Sequence, residues 1–143
     1  MKQTTGNARP ELQAILTADK ILRAQELVRQ IVVADHVFHY AADLVRATRP
    51  REPGSPKFIA EWVSWGAGPR ASQYLILGGK ARAALQGRLH VTTQDIQAVA
   101  APVLRHRLVT TFHADAEGIT TDAIVKKLLE TIPEPLAQAA AKV

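Results

Sequence analysis

No cysteine occurs in the 143 residues, which excludes a disulfide framework and any zinc site built on thiolates. Aromatic residues make up only 5% of the chain, so there is little material for the stacking on bases that nucleic-acid binding uses. No run approaches the roughly 20 consecutive apolar residues of a membrane helix. The start, MKQTTGNARPE, lacks the apolar block of a signal peptide. A soluble, cytoplasmic protein with no membrane partner is expected. There is also no internal repeat and no alternating strand series, which argues against a sheet.

What the chain does contain is enough apolar material for a core. With 47% apolar and 22% charged residues, disorder is excluded as the dominant state, and the length suits one domain. Eighteen Lys and Arg against thirteen Asp and Glu leave a formal charge of +5, which favours anionic partners but is far from a histone-like tail.

Helical signals follow one another along the chain. Thr17 and Asp19 offer capping chemistry to DKILRAQELVRQ. After a β-branched run at Ile31, Val32 and Val33, Asp35 is the expected cap of a helix whose stripe is Val37, Tyr40, Ala41, Leu44 and Ala47. Residues 48–56, TRPREPGSP, read as a loop, because its prolines cannot continue a helical ladder. KFIAEWVSW holds both tryptophans and reads as buried. Gly66, Gly68 and Pro69 then make a sharp turn into a helix from Pro69 to about Gln86, with Pro69 suited to its first position. Tyr74, Leu75, Ala81 and Leu85 are its candidates for burial. Gly78 and Gly79 inside it cost about 1 kcal/mol each relative to alanine, which points to a close approach by a neighbouring backbone. Gly87 closes the helix.

Thr92 and Asp95 resemble a capping box for a helix carrying Ile96, Val99, Ala100, Val103, Leu104 and Leu108, with a kink or broken turn expected near Pro102. TFHADAEG reads as a loop, and Thr121 as the cap of TDAIVKKLLETI, which Pro133 ends. The whole reads as an all-α bundle of about five helices with little or no sheet.

Several constellations test for chemistry. Gly78, Gly79 and Lys80 fail as a phosphate loop, since Tyr74 stands where the first glycine is needed and Ala81 where a magnesium-binding hydroxyl is needed. His36 and His39 have the spacing to share a metal, but no third ligand lies near in sequence, so no metal site is assigned. Arg46, Arg49 and Arg51, then Arg105 and Arg107, then Lys126 and Lys127 form basic clusters that read as solvated faces. Arg70 differs by its place in the first turn of a helix, after a Gly-x-Gly-Pro turn. A guanidinium there can present its fork to a phosphate while the helix N-terminus adds positive potential. A surface arginine or an internal ion pair is equally consistent with its chemistry.

Four stretches together resemble the C-terminal lid domain of MoxR-type AAA+ ATPases. They are VRATRP at 45–50, WGAGPRASQYLILGGKARAALQGR at 65–88, VTTQDIQAVAAPVLRHRL at 91–108 and HADAEGIT at 113–120. The resemblance covers roughly residues 17–133. It implies a small helical lid at 17–133, with 1–16 as a linker from an upstream core domain and 134–143 as a flexible tail. It also implies that Arg70 is the sensor 2 arginine that contacts the γ-phosphate, with Gly68 and Pro69 close to the nucleotide. Arg105, His106 and Arg107 match the family's HR-containing helix, with packing of the lid or contact with a neighbouring subunit as its implied role.

The phosphate loop, magnesium-binding acidic motif and arginine finger of such ATPases are absent from these residues. The chain by itself is therefore expected neither to bind ATP tightly nor to hydrolyse it, with ATP and Mg belonging to the complete protein. The implied partners are the AAA+ core domain, neighbouring subunits of a homo-oligomeric, hexameric ring, and a client protein remodelled in chaperone-like fashion. Two other classes remain open at this point: a stand-alone basic helical module that binds nucleic acid, and a helical adaptor with no ligand.

Overall fold

Thr17 starts the first helix by accepting the Lys20 N–H on its side chain at 3.3 Å, so α1 runs over Ala18–Gln30. It belongs to a computed structural model that describes residues 13–135. Residues 1–12 of the linker expected at 1–16, and residues 136–143 of the tail expected at 134–143, lie outside the described residues. None of α1 is buried. It lies against the outside of the domain, where Lys80 Nζ donates to the Arg29 carbonyl at 2.9 Å.

Buried Ile31 then leads into a parallel bridge, with Val32 N–H donating to Leu89 O and Val91 N–H to Val32 O, each at 3.0 Å. Next is α2 (Asp35–Ala47), which buries the expected stripe and Val45. Its flanking residue is Ala34. Asp35, expected as the cap, is instead the first helical residue, where its charge suits the positive end of the helix dipole.

Prolines keep residues 48–56 irregular, as expected, and α3 (Lys57–Trp62) follows, burying Phe58 and Ile59. A minimal antiparallel ribbon joins β1 (Val63–Trp65) to β2 (Val109–Thr110). This pairing corrects the expectation that both tryptophans are buried. Trp65 stands 73% exposed on the ribbon although strand alternation would set it on the same face as buried Val63, because the pairing register shifts between these two residues and turns Trp65 away from the core.

Pro69 occupies the first position of α4 (Pro69–Leu85), and Gly87, at φ +70°, lies just past its end. The buried face of α4 is Ala71, Leu75, Gly79 and Ala83. Of the expected core residues only Leu75 is fully buried: Ala81 is half-buried, Tyr74 is exposed, and Leu85 is 88% exposed. Three of these four residues at i+4 spacing, Ala71, Gly79 and Ala83, are small, which lets the helix pack closely on its neighbour α5 (Thr93–Leu104). A Cβ at Gly79 would lie 2.9 Å from Val91 Cγ1 and 3.0 Å from Ile96 Cδ1, so the close neighbours are side chains rather than the expected backbone.

The helix α5 runs through Pro102 with no broken turn, and ends two residues later at Leu104. Residues 112–116, expected as loop, form α6 (Phe112–Ala116), capped by the Thr111 side chain. Thr120 rather than Thr121 caps α7 (Thr121–Thr131), accepting the Ala123 N–H at 3.2 Å. The described residues thus hold seven helices, of which α3 and α6 are short, so the five long ones match the expected bundle. One contiguous apolar core joins α2, α4, α5 and α7. Beyond α7, Glu134 accepts from Thr93 Oγ1 at 2.7 Å and from Gln97 Nε2 at 2.9 Å, so the first residue of the expected flexible tail is docked on α5. Gln97 also donates to Tyr40 Oη at 3.0 Å.

Candidate functional site at the start of α4

Arg70 stands exposed in the first turn of α4. Among the described residues no side chain caps this helix, and no hydrogen bond or ion pair engages Arg70. The ion-pair alternative for Arg70 is therefore not realised within the described residues. Open N–H groups at a helix start, with a guanidinium beside them, suit an anion such as a phosphate.

The turn that leads to Arg70 is held from one side by the end of α2. Ala67, 1% exposed, donates its N–H to Thr48 Oγ1 at 2.9 Å, and its carbonyl accepts from Arg49 Nε at 3.1 Å. Gly66 packs on the same backbone: a Cβ there would lie 2.4 Å from Thr48 O and 2.8 Å from Arg49 Cα. Gly68 is the residue flanking the helix start, and its carbonyl accepts the Ala71 N–H at 3.0 Å.

A cleft of about 470 Å³ opens beside this turn, with Arg49, Arg51, Trp65 and Pro69 among its walls. Arg49 and Arg46 share Glu52, at 3.8 Å and 3.0 Å. Arg51 has no ion pair among the described residues. Trp65 and Thr48 are functional candidates that sequence reading missed. The tryptophan was masked by its apolar surroundings in sequence, and nothing in the residues near Thr48 announces a bond to a position 19 residues away.

Arg105, His106 and Arg107 do not converge on one point. Arg105 Nε pairs with Asp122 Oδ1 at 3.0 Å, between two exposed side chains. Arg107, in the turn after α5, reaches back to donate to the Val103 carbonyl, and its guanidinium contacts His106 Nε2 and lies 5.0 Å from the centre of the Tyr74 ring. His106 is exposed. His36 and His39 are exposed in the first turns of α2, and among the described residues no third ligand joins them. Gly78, Gly79 and Lys80 lie inside α4, so they form no phosphate-wrapping loop.

The described residues thus form a small all-α domain with an exposed arginine, unpaired among them, on an uncapped helix start. The family model for the AAA lid domain matches residues 57–128, and the chain belongs to that family as a MoxR-type AAA+ lid. Chaperone MoxR1 of Mycobacterium tuberculosis is 35% identical over 130 residues, covering 91% of this chain and 34% of that protein. Protein MoxR of Paracoccus denitrificans is 38% identical over 106 residues, covering 68% of this chain and 30% of its own length. The crystal structure of a Cytophaga hutchinsonii protein assigned as an ATPase superposes with a TM-score of 0.81 at 29% identity, over 92% of this chain and 40% of that one. The chain thus spans about a third of the length of the curated relatives it matches. Among the described residues no helix is long and apolar enough to cross a membrane.

Proposed function

We propose that this domain is the lid of a MoxR-like AAA+ ATPase and that Arg70 is its sensor 2 arginine, reporting the state of the terminal phosphate. The observation that carries the reading is the placement of Arg70: exposed, in an uncapped helix start, and without a partner among the described residues. Such a guanidinium is free to meet a phosphate supplied from outside the domain. Its charge and the helix N-terminus both act on the developing charge of the γ-phosphate. Because Arg70 is rigidly joined to α4, loss of that phosphate shifts the preferred position of the whole lid.

In this reading ATP and Mg are held by an AAA+ core domain of the same protein, and Gly68 and Pro69 lie close to the nucleotide. The ring is a cytoplasmic homo-hexamer whose lid movement drives chaperone-like remodelling of a client protein. Arg105 and His106, exposed in the turn just after α5, are available to a neighbouring subunit. Measuring ATP turnover of the ring with Arg70→Ala tests the assignment. A loss of about a hundredfold or more is expected for removal of a group that acts on transition-state charge. Unchanged turnover with a folded lid sinks it.

One observation favours a second reading. The exposure of Trp65 beside Arg49 and Arg51 supplies the combination of aromatic face and positive charge used to bind single-stranded nucleic acid. A salt-titrated binding assay with the chain separates the two: submicromolar affinity with a steep salt slope supports nucleic acid, and no binding at low salt removes it.

A further inference from the structure

The packed stripe of α4 begins at Ala71, one residue after Arg70, and no side chain among the described residues caps the turn ahead of it. Helix packing alone therefore leaves the first turn free to fray, since its leading N–H groups have no partners within the helix. What restrains it is Ala67, gripped on both sides of its peptide by consecutive residues at the end of α2. The Thr48 hydroxyl accepts the Ala67 N–H at 2.9 Å while donating to the Val45 carbonyl at 2.6 Å, so both of its roles are used. Arg49 Nε donates to the Ala67 carbonyl at 3.1 Å.

The grip is itself anchored. Thr48 is fully buried, the Arg49 carbonyl accepts from Ser55 Oγ at 2.7 Å, and Gly66 leaves no room between the turn and the α2 end for even one more carbon. These contacts tie a turn at 66–68 to a helix end almost 20 residues earlier and leave Arg70 projecting from a doubly held base.

We propose that Thr48 and Arg49 are positioning residues for Arg70, fixing where its guanidinium meets the phosphate. This inference rests on the sensor reading above. It assigns a task to a buried hydroxyl and to an arginine whose Nε is turned inward onto a carbonyl, away from any ligand.

The test is a double-mutant cycle on ATP turnover by the ring that carries this lid, with kcat and KM measured for Thr48→Val, Arg70→Ala and the pair. Thr48→Val keeps the shape and removes the hydroxyl. It is expected to lower kcat about tenfold or more, as misplacement of a catalytic group by a fraction of an ångström does, while Thr48→Ser restores turnover. In the Arg70→Ala background Thr48→Val is expected to add no further loss, because the group it positions is gone. Losses that multiply in the double variant, or full turnover in Thr48→Val, overturn the proposal while slow Arg70→Ala leaves the sensor reading standing. Full turnover in Arg70→Ala overturns both. Should Thr48→Val fail to fold, Arg49→Lys, which keeps the charge but loses the Nε donor, enters the same cycle with the same expected non-additivity.

Discussion

Arg88 grips Asp95 with both Nη atoms, at 2.8 Å to Oδ2 and 2.6 Å to Oδ1, and so locks the end of α4 to the start of α5. Arg82 adds a bond to Oδ1 at 2.5 Å, and the Thr92 N–H and hydroxyl reach Oδ2 at 2.9 Å and 3.0 Å. The carboxylate is fully buried, yet every lone pair it offers is used. Removing it strands two guanidinium groups that are only part-exposed. Asp95→Ala is expected to lower the unfolding free energy by about 2–4 kcal/mol, below the full cost of breaking a buried pair because both arginines retain access to water. Urea unfolding of the chain measures this, and a change under about 0.5 kcal/mol would refute the role.

The same carboxylate sets part of the acid limb of stability. Burial pushes its pKa up, but the bonds from Arg88, the Thr92 N–H, Arg82 and the Thr92 hydroxyl outweigh that and hold it well below the ordinary carboxylate range. With the folded pKa below the unfolded one, the unfolded chain binds the proton first. The contribution is complete above the unfolded value near about 4 and is lost as pH falls from there through the folded value. Denaturant midpoints measured from pH 7 down to about 2 should fall more steeply below pH 4 in the wild type than in Asp95→Asn.

Two adjacent glycines in α4 should respond oppositely to alanine. Helix propensity favours both substitutions by about 1 kcal/mol. At Gly79 the new Cβ would press on Val91 Cγ1 at 2.9 Å and Ile96 Cδ1 at 3.0 Å, both in the core, and overpacking of that kind costs about 1–3 kcal/mol. At Gly78 it would meet only half-buried Val99, at 3.3 Å. Gly78→Ala is therefore expected to match or exceed wild-type melting temperature, and Gly79→Ala to fall below it. The reverse order in calorimetry contradicts the packing described.

Lys127 of α7 lies over two rings of α3, with Nζ 4.1 Å from the centre of Trp62 and 4.7 Å from that of Phe58. Replacing it with methionine keeps most of the stem and removes the cation. A loss of about 0.5–1 kcal/mol is expected at this exposed site, with a change in Trp62 emission that Lys126→Met does not produce. Equal effects from the two substitutions would show that the charge over the rings is idle.

Residues close together in the chain made much of this protein legible. Thr17, the Thr92–Asp95 pair, Pro69 at the first helical position, Gly87 past the last turn and the proline-rich 48–56 loop all act within a few residues of themselves. Their effects survive without knowledge of the fold. Apolar spacing likewise marks α2, α5 and α7. The place of Arg70 in the first turn of α4 is local in the same sense, and so is the motif that carries the family resemblance.

Where two stretches meet across the fold, the residues alone were silent or misleading. Hydrophobicity nominated Tyr74 and Leu85 for the core of α4, but close packing against α5 selects small Ala71, Gly79 and Ala83 instead, which only the partner's shape can decide. Trp65 reads as core in sequence and stands in solvent because β1 pairs irregularly with the distant strand β2, the register shifting between Val63 and Trp65. Sequence by itself thus determined the five long helices, several of their ends and the address of Arg70, since those depend on dihedral preference and on hydrogen bonds spanning a single turn. Tertiary structure alone decided which faces close, which aromatic is left open, and that Thr48 holds Ala67. Those are contacts between distant residues, whose free energy exists only after the chain has brought them together.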